Sequence, residues 1–269
     1  LDSTLFYGNI TPVNKDRKLA ITINTYGEDV ESVGYKIRSL EDKSLIENTE
    51  VSGYQVTDNK INVTLNIKNL LDTGKEYALE VVLKTKKHDA VYYYTRIMYG
   101  TDYDLQKKLD FVRDFNACTF DSARLKDIGG YLETSSVGDN TNYGKVNINC
   151  SLSQIGWGDL EPYIESEITP EIISINDDVA IIRLDYRIGA ANDYSSSDTY
   201  NVNEYYRIRQ TNSGFYLLNF EREMNQVFDA KNDLTSSAKI NLGINSSTYV
   251  NCTSDEKGIY TYFVNQGSL

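Results

Sequence analysis

Apolar residues recur at every second position along most of this chain, and one long stretch, residues 104–133, breaks that rule by repeating every three to four. A period of two fits a half-buried strand, and a period near 3.6 fits one face of a helix. The chain should therefore form two β-rich regions divided by a helical island, with helix preceding sheet in the second. Its 269 residues exceed what one sandwich-sized unit needs, which favours two domains. A chain of this length needs no disulfide or metal to fold.

In the island, Asp102 or Asp104 can cap a helix whose apolar stripe is Leu105, Leu109, Val112 and Phe115. Lys107, Lys108, Arg113 and Asp114 fall on its other side. A second, shorter helix is expected after Asp121 or Ser122, with Leu125, Ile128 and Leu132 as its stripe. Gly129-Gly130 weakens its interior.

Before the island, in residues 1–100, Leu19, Ile21 and Ile23 alternate with polar neighbours, as do Val33, Tyr35 and Ile37. The pattern repeats at Ile61, Val63, Leu65 and Ile67, at Tyr77, Leu79, Val81 and Leu83, and through residues 91–98. Turn residues at 41–43, 57–59 and 72–74 separate the runs, which reads as a seven-stranded β-sandwich. In the segment Leu71-Asp-Thr-Gly-Lys-Glu-Tyr77, Gly74 can supply a positive φ and Tyr77 can return its hydroxyl to the backbone. This segment resembles the tyrosine corner of fibronectin-type-III and immunoglobulin-like domains. The resemblance covers residues 5–99 and implies an architecture without an active site. Tyr92 and Tyr94 share a face with Arg96. They form either an aromatic strip for sugar or peptide, or the covered side of an edge strand against the neighbouring domain.

After the island, in residues 101–230, strands are expected at 146–154, 172–175, 179–188, 200–210 and 215–223. Ala180, Ile182, Leu184, Tyr186 and Ile188 should line one face of the sheet, together with Tyr206, Ile208, Leu218 and Phe220. Thr211-Asn-Ser-Gly214 is a hairpin turn. Helices followed by an antiparallel meander that ends in the hairpin around Tyr200–Arg209 and Gly214–Arg222 resemble the NTF2-like, or cystatin-like, α+β fold. That resemblance implies either a pocket between helix and sheet, with an acid inside, or a core filled by Leu109, Val112 and Phe115. The chain's one histidine, His88, lies in the first region, so a histidine-dependent pocket is not expected. The opposite face carries Arg183, Asp185, Arg187, Tyr205, Arg207 and Arg209, read either as a charged ligand site or as cross-strand ion pairs. Trp157, between two glycines, either anchors a ligand or packs over the end of the sheet. The candidate binding residues are thus Trp157, Tyr92, Tyr94, Tyr186, Tyr205 and Arg207; none is catalytic and none ligates a metal.

Residues 231–269 read as a β tail, with strands at 238–244 and 258–267. The tail looks like the start of a repeat-built β domain. The fold class is thus mainly β with α+β, in three parts: 1–100, 101–230 and 231–269.

A formal net charge of −12 argues against nucleic acid, which needs a basic footprint. Three cysteines in no CxxC pair exclude a disulfide framework and a zinc centre, leaving Cys118–Cys150 as one conceivable bridge. No phosphate loop, dinucleotide fingerprint or nucleophile elbow occurs. Residues 139–150 fail as a calcium loop, because Cys150 stands where the bidentate Glu belongs. No cofactor is expected. No apolar run spans a bilayer, and a start at Leu1 suggests that a leader or anchor precedes it. The whole chain resembles membrane-anchored cell-envelope proteins of Gram-positive anaerobes. That resemblance implies an extracellular or cell-surface location and a protein or cell-wall polymer as partner. The expectation is a non-catalytic binding or scaffold module. The alternatives are a small-molecule-binding or hydrolytic NTF2-like pocket, or a carbohydrate-binding module.

Overall fold

The computed structural model describes residues 2–5, 8–100, 103–191, 197–227, 252–254 and 261–263. The chain is mainly β, with few helices and several sheets, and it does not form a barrel. Its contacts divide it into two compact units, Leu1–Lys108 with Glu171–Ile181, and Leu109–Pro170 with Ile182–Leu269.

Residues 1–100 of the first unit hold eight described strands in two sheets, one strand more than expected, and are consistent with a β-sandwich. One sheet joins β1 (Ile10–Val13), β8 (Val91–Tyr99), β7 (Glu76–Thr85), β3 (Val30–Ser39) and β4 (Leu45–Val51) in that spatial order. The other joins β2 (Lys18–Asn24), β6 (Lys60–Asn66) and β5 (Gln55–Thr57). The expected alternation holds: Val33, Tyr35 and Ile37 pack in one core with Leu19, Ile61, Leu65, Leu79 and Ile97. Tyr77 makes the expected corner, since Asp72 N–H donates to its hydroxyl at 2.8 Å and Gly74 has φ +77°. The buried Glu47 accepts from the Tyr35 hydroxyl at 2.6 Å, the Thr49 hydroxyl and the Lys68 amide. A core carboxylate is thus satisfied by three donors.

The second unit holds most of a six-stranded sheet, of which β11 (Thr169–Ile175) falls largely in the first. The sheet's order is β10 (Tyr163–Ile164), β12 (Val179–Ala191), β13 (Ser197–Thr211), β14 (Gly214–Gln226) and β9 (Lys145–Asn147), with β11 pairing β12. Helix α1 (Leu105–Thr119) and a 3-10 helix, Leu125–Tyr131, make the island. Two details of the expected helices differ. Asp121 holds the Ala123 amide and does not cap the second helix, which starts after Arg124 with no side-chain cap. Lys108 is fully buried, because its ammonium donates to the carbonyls of Tyr103, Asn176 and Asp177 at 2.6, 2.6 and 2.9 Å. Three carbonyl dipoles replace the water that a lysine would otherwise keep.

The strand expected at 146–154 stops at Asn147. Ser151 caps α2 (Leu152–Ile155) by accepting the Gln154 amide at 3.2 Å, so the segment turns into helix. On β14 it is Leu217, and not the expected Leu218, that faces inward. A bulge between Arg207 and Ile208 pairs Ile208 with Leu217, which moves the buried set by one residue. In the tail, β15 (Cys252–Ser254) pairs with β16 (Thr261–Phe263), inside the second strand expected there. The strand expected at 238–244 lies outside the described residues. Among those residues no helix is long and apolar enough to cross a membrane, which says nothing of strands.

Candidate functional site

The most chemically loaded place in the chain is the interior of the second unit. On β13, Val202, Glu204, Tyr206 and Ile208 all point inward, so alternation carries a carboxylate into the core. Glu204 accepts from the Tyr206 hydroxyl at 2.7 Å, from Asn116 of α1 at 2.8 Å and from the Tyr186 hydroxyl at 3.0 Å. Arg222 of β14 approaches it to 3.9 Å, an ion pair too long to be a hydrogen bond. The Arg222 guanidinium donates instead to the carbonyls of Ile155 and Gln154, at 2.9 and 3.0 Å. Trp157 closes over it, with the guanidinium carbon 3.4 Å from the ring centroid. Phe120 then packs against both Trp157 and Tyr186.

Both members of the pair are fully buried. Burial pulls the Arg222 proton affinity below its ordinary range, and Glu204 is the largest influence opposing that drop. Two buried N–H groups, Nε of Arg222 and Nε1 of Trp157, have no partner among the described residues. Side chains of α1 pack beside this network. Val112 and Phe115 are buried, Leu109 is half-buried, and the Phe115 ring meets Tyr131, Tyr206 and Phe220.

The candidate residues fall into three places. Trp157 and Tyr186 are brought together in this interior, at 1% and 4% exposure. Tyr205 and Arg207 lie on the sheet's outer face. Tyr92 and Tyr94 lie on the five-stranded sheet of the first unit, with parallel rings 6.2 Å apart. Tyr92 is 47% exposed and Tyr94 is half-buried. Beside the pair, Lys36 and Glu80 form an ion pair at 3.0 Å, and Asp2, Lys36, Arg38, Glu80 and the two tyrosines line a groove of about 380 Å³. Cys118 and Cys150 are free buried thiols and do not pair. Among the described residues no cluster of His, Cys, Asp or Glu could hold a metal ion.

Sequence reasoning missed Glu204, Arg222 and Asn116. The first two were legible, since Glu204 shares the parity of Tyr206 and Arg222 that of Phe220. No protein-family model matches the chain, and no curated protein matches it significantly.

The network makes a pH prediction. Tyr186 and Tyr206 both donate to Glu204, and burial first, then Glu204, raises their proton affinity well above the ordinary value near 10. Their stabilising contribution is complete below pH 10. Above it the unfolded phenols ionise first, and stability falls as pH climbs towards the folded values. Circular-dichroism melts between pH 8 and pH 11 should show the second unit weakening above about pH 10. Tyr206→Phe should flatten that alkaline limb, and an unchanged slope would contradict the assignment.

Proposed function

We propose that this chain is a non-catalytic binding or scaffold module of a bacterial cell-envelope protein, acting outside the cytoplasm on a cell-wall polymer. In this reading the first unit is an immunoglobulin/fibronectin-III-like sandwich, supported by the Tyr77 corner and the parallel pairing of β1 with β8. The second is an NTF2-like domain, supported by helix preceding a sheet that ends in the long β13–β14 hairpin.

The observation that carries the proposal is the occupied interior. A catalytic acid needs free lone pairs and room for substrate. Glu204 already accepts three hydrogen bonds, and Trp157 fills the space above its cationic partner. Side chains that suit recognition lie elsewhere, at the exposed Tyr92 and the half-buried Tyr94. Parallel aromatic faces beside a lysine–glutamate pair offer apolar surface and hydrogen-bonding groups at once, which matches the face and rim of a sugar ring.

Co-sedimentation of the chain with purified Gram-positive cell walls tests this. The wild-type protein should pellet with the walls. The double variant Tyr92→Ala/Tyr94→Ala should bind at least about tenfold more weakly, equivalent to about 1.4 kcal/mol, with an unchanged melt. No wall binding by the wild type, or equal binding by the variant, would remove the proposal.

A further inference from the structure

The outer face of the second unit's sheet carries a groove of about 420 Å³, on the side of the sheet away from Glu204. Its polar lining is Ser166, Asp185, Arg187, Asn201, Asn203 and Asn225. Period two puts Asp185, Arg187 and Gly189 of β12 on the side opposite the buried Leu184, Tyr186 and Ile188. Cross-strand bonds hold the side chains in rows: Asn203 donates to Asp185, and Arg187 donates to Asn201 at 3.1 Å. Arg183 donates to the second Asp185 oxygen at 3.0 Å. Asn225 lies directly across from Asn201, and its side-chain amide has no partner among the described residues.

Two features indicate what such a groove takes. The first is charge. In a chain of net charge −12, the lining has one acid and one base, and the rest is amide and hydroxyl with Tyr186 and Val202 between them. Each charge is already engaged by a neighbour. A phosphate, a cation or a charged peptide would find the lining's own charges already paired, and the Glu165 carboxylate at the Gly189 end bonded to Thr199, whereas uncharged hydroxyls match amides that donate and accept side by side. The second is Tyr163. Its ring lies over Gly189 on this same face, where any Cβ would collide with it, and its hydroxyl meets Ser197 at 3.1 Å. It is 50% exposed, and it adds a flat apolar surface at the end of the polar row.

We infer that this groove binds an uncharged oligosaccharide, whose hydroxyls bond the Asn201, Asn203 and Asn225 amides. The inference rests on reading the chain as a binder of envelope polymers, but it uses residues that the first unit's tyrosine face does not share.

The test is calorimetric titration of the whole chain with two uncharged probes, cellohexaose and chitohexaose, and with polyphosphate as a charged control. At least one sugar should bind and polyphosphate should not. Asn201→Ala/Asn225→Ala should weaken sugar binding about tenfold or more, and Tyr163→Ala should weaken it less. Both changes lie on the surface, and a retained melt shows that each variant folds. Tyr92→Ala/Tyr94→Ala should leave binding at this groove unchanged. The inference is overturned if neither sugar binds, if polyphosphate alone binds, or if the asparagine variant binds like wild type. Loss confined to the Tyr92/Tyr94 variant would place the sugar on the first unit and overturn this site while sparing the proposed function.

Discussion

Replacing Glu204 with leucine should destabilise the second unit by about 3–5 kcal/mol, the usual cost of breaking a buried ion pair from one side. The change leaves Arg222 charged without its counter-ion, since a guanidinium does not shed its proton in a protein. It also removes the acceptor for Tyr186, Tyr206 and Asn116 at once. Arg222→Leu should cost less than Glu204→Leu, because Glu204 keeps those three donors when the guanidinium is gone. The double variant should cost less than the sum of the two, by about 0.5–3 kcal/mol, as residues in one network do not act independently. Trp157 is the chain's one tryptophan, so its fluorescence during urea unfolding reports on this unit. Strict additivity of the two substitutions would show that the 3.9 Å approach is not an energetic pairing.

Trp157→Ala should cost a similar ~3–5 kcal/mol, from lost burial and the cavity it opens, and circular dichroism would follow its melt. The ring is 1% exposed and stacks on Arg222, so the loss is one of packing and of cation–π contact. Trp157→Phe should cost well under half as much. The indole N–H has no partner among the described residues, so phenylalanine forfeits volume without forfeiting a hydrogen bond. Binding to cell walls should be unchanged in Trp157→Phe. A binding defect in that variant, with stability retained, would restore Trp157 as a contact residue and count against the closed interior.

These two predictions concern residues that the sequence treats very differently. Glu204 sits in phase with Tyr206 and Ile208, so its inward direction was legible, but a carboxylate on a core face is normally discounted because its burial is costly. Only the convergence of Tyr186, Tyr206 and Asn116, from two strands and a helix, makes that burial tolerable. Trp157 stood out for its glycine neighbours, and their role proved to be steric. A Cβ at Gly156 would strike Leu125 and one at Gly158 the Tyr143 hydroxyl, so the turn folds tightly enough to seat the ring. The shift from Leu218 to Leu217 could not be read, because a bulge is a property of two paired strands. The burial of Lys108 depends on carbonyls 68 and 69 residues away at Asn176 and Asp177.

The sequence by itself determined the local periods: where the chain alternates, where it turns helical, and that Gly74 and Tyr77 make a corner. Those follow from interactions within a few residues, which the order of side chains encodes directly. The tertiary structure decided which polar groups the core accepts, which tyrosines stay in water, and that Asn201 and Asn225 face one another across a groove. Each of these depends on partners brought together from separate strands and helices, and desolvation is favourable only when those partners arrive together.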